Sequence, residues 1–482
     1  MRAVPEDAAV PIPSREPGLD QDDPPRSPEA EPVQGSERVQ VAPRRRTWRA
    51  GRIASAAPLA GVLLLGLLLV MLFIRAYEPL SPLDEMQHMD YVNHVLAGDP
   101  VVVLGDTIEP ETQRAVACRG IDLPWQPPPC GGPYTTSDFP NQGFNSAYIH
   151  APVYYGITAA WVWAWDHVPL PGDDVSLMRS SGVIWVVATI LLMWAMLRSL
   201  ELSRVQRVSG CLLALASPTV VLALGTVTND ATALAVGAAV TWAVVRWDQG
   251  RTRLWLVVLL CALAVLLKAT NVGVVGLAVV YVAARAWQRS RAAGWGPNRN
   301  RALVLVAAIV GGAGIAALGW TLFQKSAATI APSDIEQNAA YLAPHFDVSW
   351  LFEALPTFLT PLEAAFPMPL RGAVVVSSGT LVSVALVVLF VLGVASRQRT
   401  PEIGALAVAT ATALLGLGPL LVILNYVGGG IHVGIPIRYG LSLVPAVIAV
   451  GVSAARGPRQ RWALLAFAAV CCLLLLRRLL LA

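Results

Sequence analysis

The sequence predicts an all-α polytopic membrane protein, and three observations carry that expectation. Of 482 residues, 55% are hydrophobic and only 14% charged, where a soluble domain carries about a quarter charged residues; mean hydropathy is +0.58. Apolar stretches close to the ~20 residues needed to cross a hydrocarbon core recur from Ala54 to the C-terminus. Arginines gather in short loops between those stretches, as they do on the cytoplasmic side of membrane proteins. No stretch remains for a second soluble domain of any size. The net charge of +4 is small for this length and reflects where arginines are placed, so no nucleic-acid partner is expected.

Residues 1–53 form the first expected unit. Most of it is rich in Pro, Glu, Asp, Ser and Arg and poor in large apolar groups, which predicts a disordered cytoplasmic tail. Arg44, Arg45, Arg46, Arg49 and Arg52 hold it inside by the positive-inside rule, and 54–74 is too long for a signal h-region, so it stays as the first span. The remainder, 54–482, is read as one transmembrane domain. A polar segment follows on the outer side and, with the next stretch, makes a first extracytoplasmic loop over 75–170 that carries juxtamembrane helices.

Within that loop, 150–170 is apolar and aromatic. Counting it as a span would turn every later arginine-rich loop outward, so it is laid along the outer interface, where Trp161, Trp163 and Trp165 act as anchors. Further spans are expected at 177–197, 208–224, 231–245, 254–267, 272–286, 302–323, 374–395, 403–424, 441–455 and 462–480. That makes about eleven, with the C-terminus outside. A second large outer loop occupies 324–372. Lys268, Lys325, Arg371 and Arg438 fall on the outer side as sparse cations, and Arg477 and Arg478 at the outer end of the last span also run against the rule.

Cys211, Cys261, Cys471 and Cys472 lie in apolar spans, where cysteine behaves as a small hydrophobe. Cys118 and Cys130 share a Pro-rich outer loop whose oxidising surroundings allow a disulfide. Neither spacing suits a zinc site.

Chemistry concentrates just after the first span. Asp84, Glu85, His88, Asp90, Tyr91 and His94 crowd into a few helical turns, with Asp84, His88 and Tyr91 at i, i+4, i+7 on one face. A carboxylate there can act as general base toward a hydroxyl, with histidine and tyrosine positioning a phosphate or sugar. The same residues also read as a helix start: Ser81 as N-cap, Pro82 at the first helical position, Asp84 and Glu85 complementing the dipole. Asn229 and Asp230 could likewise cap the following span, Lys268 could snorkel, and Arg438 could pair with an outer carboxylate.

The acidic pair opening a long first outer loop, followed by His88 and Tyr91, resembles the GT-C glycosyltransferase superfamily. Three more features stand in the same order along the chain. His150-Ala151-Pro152-Val153-Tyr154-Tyr155 is similar to a His-Pro-Pro-x-Tyr-Tyr element, with Ala in place of the first proline. Thr228-Asn229-Asp230 falls at the outer end of a span. Arg438-Tyr439 with Pro445 resembles an Arg-Tyr-x-x-Pro element, with the proline further away. The resemblance covers about 55–460 and implies a GT-C-like fold. It also implies a sugar donor linked to polyprenyl phosphate, an acceptor that is an envelope glycan or lipid, and a bacterial cytoplasmic membrane. By that resemblance Asp84 is the base and Glu85 its partner or alternative. Lys268 and Arg438 meet the departing phosphate. His88, Tyr91, His150, Tyr154, Asn229, Asp230, His432 and Tyr439 line the substrate. No cofactor is fixed by the sequence; where such enzymes use a divalent cation, Mg or Mn, Asp84 and Glu85 are the acids that would hold it. A transporter or flippase of a lipid-linked precursor is the alternative from another class, but no internal repeat is evident and the acids sit in loops rather than mid-span.

Overall fold

The computed structural model describes residues 47–122, 125–166, 168, 173–293, 297–335, 339–360, 362, 372–396 and 399–482. The tail expected to be disordered lies outside these residues over 1–46, as do Arg371, Arg397 and parts of both expected outer loops. By its internal contacts the chain divides into 1–53 and 54–482; the second unit is described below. Every named element among the described residues is a helix, with three isolated β-bridges in loops. The protein is an all-α polytopic membrane protein. Seven helices are long and apolar enough to cross a membrane, or eight if one bent pair makes a single span.

α1 (Thr47–Ala76) leads into the first loop, which folds into α2 (Glu85–Ala97), α3 (Pro110–Arg119) and α4 (Val153–Trp165). α4 has 13 residues, ~20 Å at 1.5 Å per residue, short of a ~30 Å hydrocarbon core. Its Tyr154, Tyr155, Thr158, Ala159 and Val162 are buried, while Trp163 is exposed. A disulfide joins Cys118 to Cys130, and Asn145 ties the loop inward by donating to Asp90 at 2.7 Å.

α5 (Asp174–Ser180) and α6 (Gly182–Ser199) together form one apolar length. It begins earlier than the sequence suggests because Asp173 caps it by accepting from the Ser176 amide. The single span expected over 208–224 is instead α7 (Arg204–Leu215) and α8 (Pro218–Gly225), bent by 69°. Pro218 lacks an amide proton and pushes Ser217 into extended backbone, φ −84° and ψ 120°, so the helix must restart there. Hydropathy is blind to that break.

α9 (Ala233–Asp248) and α10 (Leu254–Leu267) have 16 and 14 residues, which is why they fall outside the seven. α11 (Val272–Ala293) and α12 (Pro297–Ala327) follow. The far end of α12 and the segment after it hold the first loop: Gln324 donates to the Val102 carbonyl at 3.0 Å, the Thr329 amide to Leu104 at 3.0 Å, and the Trp320 indole to Ile149 at 3.0 Å. After a short α13 (Ser349–Ala354) come α14 (Ala373–Ala395), α15 (Pro401–Gly429), α16 (Val444–Ser453) and α17 (Pro458–Leu481).

Helix α9 runs between two polar clusters. At its C-terminal end Asp248 pairs with Arg285 at 2.6 Å and Arg289 at 2.8 Å, Arg285 reaches Glu402 at 2.9 Å, and Gln249 donates to the Ser199 carbonyl at 2.8 Å. Its N-terminal end lies at Asp230. There α10 ends, α1 has just ended, and the 3₁₀ turn Ile437–Leu443 enters α16.

Candidate functional site

Four elements that are far apart in sequence meet at that second cluster. Asp84 immediately precedes α2 and takes left-handed backbone, φ 62° and ψ 17°, a conformation that aspartate tolerates better than most side chains. The helix therefore begins at Glu85, not at Pro82, and Asp84 makes no side-chain cap bond. The expected helix start with Ser81 as N-cap is thus corrected: Asp84 takes the N-cap position, and its carboxylate bonds none of the α2 amides. It accepts from Arg438 Nη2 at 2.8 Å instead.

Arg438 also donates through Nε to Asp230 Oδ2 at 3.1 Å, and Lys268 pairs with Asp230 Oδ1. Lys268 sits where α10 stops and extended backbone, φ −161°, turns the chain into α11. Its Nζ lies 4.7 Å from the Tyr439 ring centroid, and the Arg438 guanidinium lies 5.3 Å from the same ring, both within cation–π reach. Asp230 and Lys268 are buried, whereas the Asp84 side chain is 52% exposed and can meet a substrate. Two carboxylates and two cations cancel in this network.

A close backbone approach makes the arrangement possible. A Cβ placed on Gly237 would stand 2.1 Å from the Ser442 carbonyl oxygen, so glycine lets the 437–443 turn lie directly on α9. That contact sets Arg438 beside Asp230.

Around the network stand His88 and His150, stacked at 5.5 Å between centroids, and His88 Nδ1 shares a 2.7 Å hydrogen bond with the Tyr155 hydroxyl. Tyr155 in turn stacks on Tyr91 at 3.8 Å and meets Tyr154 edge-on at 5.2 Å. Burial, then the neighbouring His150, Lys268 and Arg438, hold His88 well below the usual imidazole range; burial, then Lys268 and Arg438, opposed by Asp230, bring His150 down to about 3. Both imidazoles are neutral at pH 7 and can offer one donor and one acceptor each. Neither amide atom of Asn229 has a hydrogen-bond partner among the described residues, nor does His150 Nδ1, although all are buried. Buried orphans of this kind call for an explanation, and a polar ligand is one.

Glu85 stands apart from its neighbour. Fully buried, it binds Arg179 through both oxygens at 2.8 and 2.9 Å and accepts from the amides of Ser81 at 2.6 Å and Val227 at 2.9 Å. Arg179 also donates to the carbonyls of Tyr77 and Pro79. This cross-link ties the exit of α1, the start of α2, α5 and the turn before Asn229 into one piece. Its acceptor capacity is used, so Glu85 is placed as a brace under Asp84 rather than beside a substrate.

Asp84 and Glu85 therefore point at different cations. Among the described residues no group of three or more His, Cys, Asp or Glu side chains could hold a metal ion, and Asp84 and Asp230 already carry guanidinium and ammonium partners. This donor set does not fit a divalent cation.

Of the residues singled out in the sequence, Asp84, His88, Tyr91, His150, Tyr154, Asp230, Lys268, Arg438 and Tyr439 come together, with Asn229 in the same turn as Asp230. His432 does not join them; it stacks on Trp350 at 3.9 Å in a separate aromatic group with Phe346 and Tyr426. Arg179 and Tyr155 were missed. An arginine at the mouth of an apolar run was the available signal for Arg179, and Tyr155 lay inside the quoted His150–Tyr155 segment. No family model and no curated protein matches the chain.

Proposed function

We propose that this protein is a membrane glycosyltransferase of GT-C type, moving a sugar from a polyprenyl-phosphate donor to an envelope glycan or lipid acceptor at the outer face of a bacterial cytoplasmic membrane. In this reading the chain makes about eleven passes, with α9, α10 and α16 as short ones, the N-terminus inside and the Asp84 cluster outside. The observation that carries it is the half-exposed Asp84 carboxylate bound by Arg438, which Asp230 holds next to Lys268.

The chemistry follows from that arrangement. The acceptor oxygen attacks the anomeric carbon, its proton passes to Asp84, and the bond from that carbon to the phosphate oxygen breaks with its electron pair leaving on phosphate. Protonated Asp84 no longer neutralises Arg438, so the cluster gains positive charge at the moment the phosphate gains negative charge. Stabilisation that appears only as charge develops lowers the barrier rather than merely tightening binding. Neutral His150 and the amide of Asn229 are suited to sugar hydroxyls, to which they can both donate and accept, while His88, whose Nδ1 is bonded to Tyr155, has only Nε2 to offer.

Complementation tests this directly. In a host lacking the protein, wild type, Asp84→Asn and Glu85→Gln are compared at matched membrane abundance, with envelope glycans profiled by mass spectrometry. Loss of one sugar in the null strain, restored by wild type and not by Asp84→Asn, is the expected result, with transfer down about 10²–10⁴-fold for a lost general base. Full restoration by Asp84→Asn would remove the base from the mechanism and leave transport of a lipid-linked precursor as the better reading.

A further inference from the structure

We infer a second, separate ligand site, for an anionic phospholipid, between the start of α14 and the end of α17. A cavity of about 350 Å³ lies there, lined by Gly372, Val374 and Val375 from the start of α14 and by Leu474, Arg477, Arg478 and Leu481 from one face of α17. Its volume is within the range of ligand sites, about 300–1,000 Å³. No acidic side chain lines it among the described residues. None of its residues belongs to the Asp84 network, so this inference stands independently of the proposed function.

The mixed lining suits a ligand with a charged and an apolar part. Arginines near the end of a spanning helix reach to the level of the lipid headgroups, and guanidinium binds phosphate oxygens in bidentate fashion. Arg477 is exposed at the rim, and Arg478 is also engaged within the protein. A Cβ on Gly372 would stand 3.8 Å from Arg478 Nε, so this side chain lies close to the first turn of α14. Gly372 at the N-cap has no side chain to cap that turn, and the first-turn amides of a helix add to the field that attracts an anion.

The apolar lining decides the source of the phosphate. Both α14 and α17 are among the helices apolar enough to span a membrane, and Val374, Leu473, Leu480 and Leu481 are exposed at 61%, 59%, 63% and 70%. The cavity thus opens on surface fit for hydrocarbon, where a free phosphate ion would leave Val374, Val375, Leu474 and Leu481 uncovered. A phospholipid covers them with its acyl chain while its phosphate sits between the arginines. The dipole of α17 alone would favour a cation in its last turn but gives no reason for an apolar cavity beside it.

The test uses delipidated full-length protein in neutral detergent, titrated with dioleoylphosphatidylglycerol, dioleoylphosphatidylcholine or inorganic phosphate, with bound lipid counted by native mass spectrometry. Phosphatidylglycerol is expected to bind one high-affinity site about tenfold or more tighter than phosphatidylcholine. Arg477→Ala with Arg478→Ala should abolish that preference, and Val374→Trp, which fills the cavity from the α14 side, should weaken binding by a similar factor. The paired lysine substitutions should keep most of it. If the alanine pair does not fold, as read by thermal unfolding in lipid-free detergent, Val374→Trp decides. Equal binding of both lipids, an unchanged preference in the variants, or inorganic phosphate competing as strongly as phosphatidylglycerol would overturn the inference.

Discussion

Asp84 and Glu85 are adjacent and chemically alike, yet backbone and burial give them opposite tasks. Left-handed backbone at Asp84 turns one carboxylate toward solvent and Arg438, while the first turn of α2 buries the other against Arg179. Removing one member of a buried pair leaves an uncompensated charge, which costs about 3–5 kcal/mol. Arg179→Ala is therefore expected to lower the thermal unfolding midpoint in detergent sharply, whereas Asp84→Asn, an exchange that keeps left-handed tolerance, should leave it nearly unchanged. If the two variants unfold alike, the division of labour is wrong. Sequence reasoning grouped the two acids because side-chain type and spacing are visible in it; a single φ angle and a partner 94 residues away are not.

Histidine titration gives a second test at this scale. His94 is flanked by Asp90 at 3.4 Å, Glu109 at 3.5 Å and Asp99 at 4.0 Å. Burial lowers its pKa, but Asp90 above all, with Glu109 and Asp106, outweighs that and raises it to about 9. A raised folded pKa gives stability fully present below the ordinary value of 6.5 and lost as pH climbs through about 9. His88 and His150 are held below 6.5, so the unfolded chain takes up more protons there and stability falls as pH drops under 6.5. Thermal unfolding should therefore peak near neutral pH. His94→Asn should flatten the alkaline side and leave the acid side; an unchanged alkaline limb would show that His94 does not carry it.

At the scale of elements, the site depends on helices stopping in the right places. α10 must end at Lys268, α8 must restart after Ser217 so that the chain returns to Val227 and Asp230, and the 437–443 turn must lie flat on α9. Prolines and polar residues at helix ends made some of this legible. The predicted limits of α10 agree with the helix because Lys268 ends an unbroken apolar run, whereas the apolar run over 208–224 hid a 69° bend. Close packing of backbone on backbone leaves no pattern in a single sequence, so Gly237 passed unnoticed. Gly237→Ala forces the Ser442 carbonyl and Arg438 away from α9, an overpacking that costs about 1–3 kcal/mol. The variant is expected to unfold at lower temperature and to complement poorly, while Gly276→Ala on α11, where a Cβ meets nothing within 4 Å, should behave as wild type. Equal behaviour of the two variants would mean that the close approach is not what places Arg438.

At the scale of the whole molecule, charge is sorted between two ends. Arg285, Arg289, Asp248 and Glu402 meet at one end of α9, and Asp84, Asp230, Lys268 and Arg438 at the other. Loops rich in arginine are retained in the cytoplasm during insertion because moving them across is costly. The proposed sidedness rests on that bias and puts the Asp84 end outside, where a lipid-linked donor and an envelope acceptor would meet. Single exposed cysteines read it out. Glu111→Cys on α3 lies in the first loop, and Arg251→Cys lies between α9 and α10; both positions are exposed. The background is quiet, since Cys118 and Cys130 are bridged and the other four cysteines are buried. In intact cells a membrane-impermeant maleimide should label Glu111→Cys and spare Arg251→Cys, with both labelled after permeabilisation. The reverse pattern would put the Asp84 cluster in the cytoplasm, facing nucleotide-linked rather than lipid-linked sugars, and transfer at the outer face would have to be abandoned even if Asp84 proved essential.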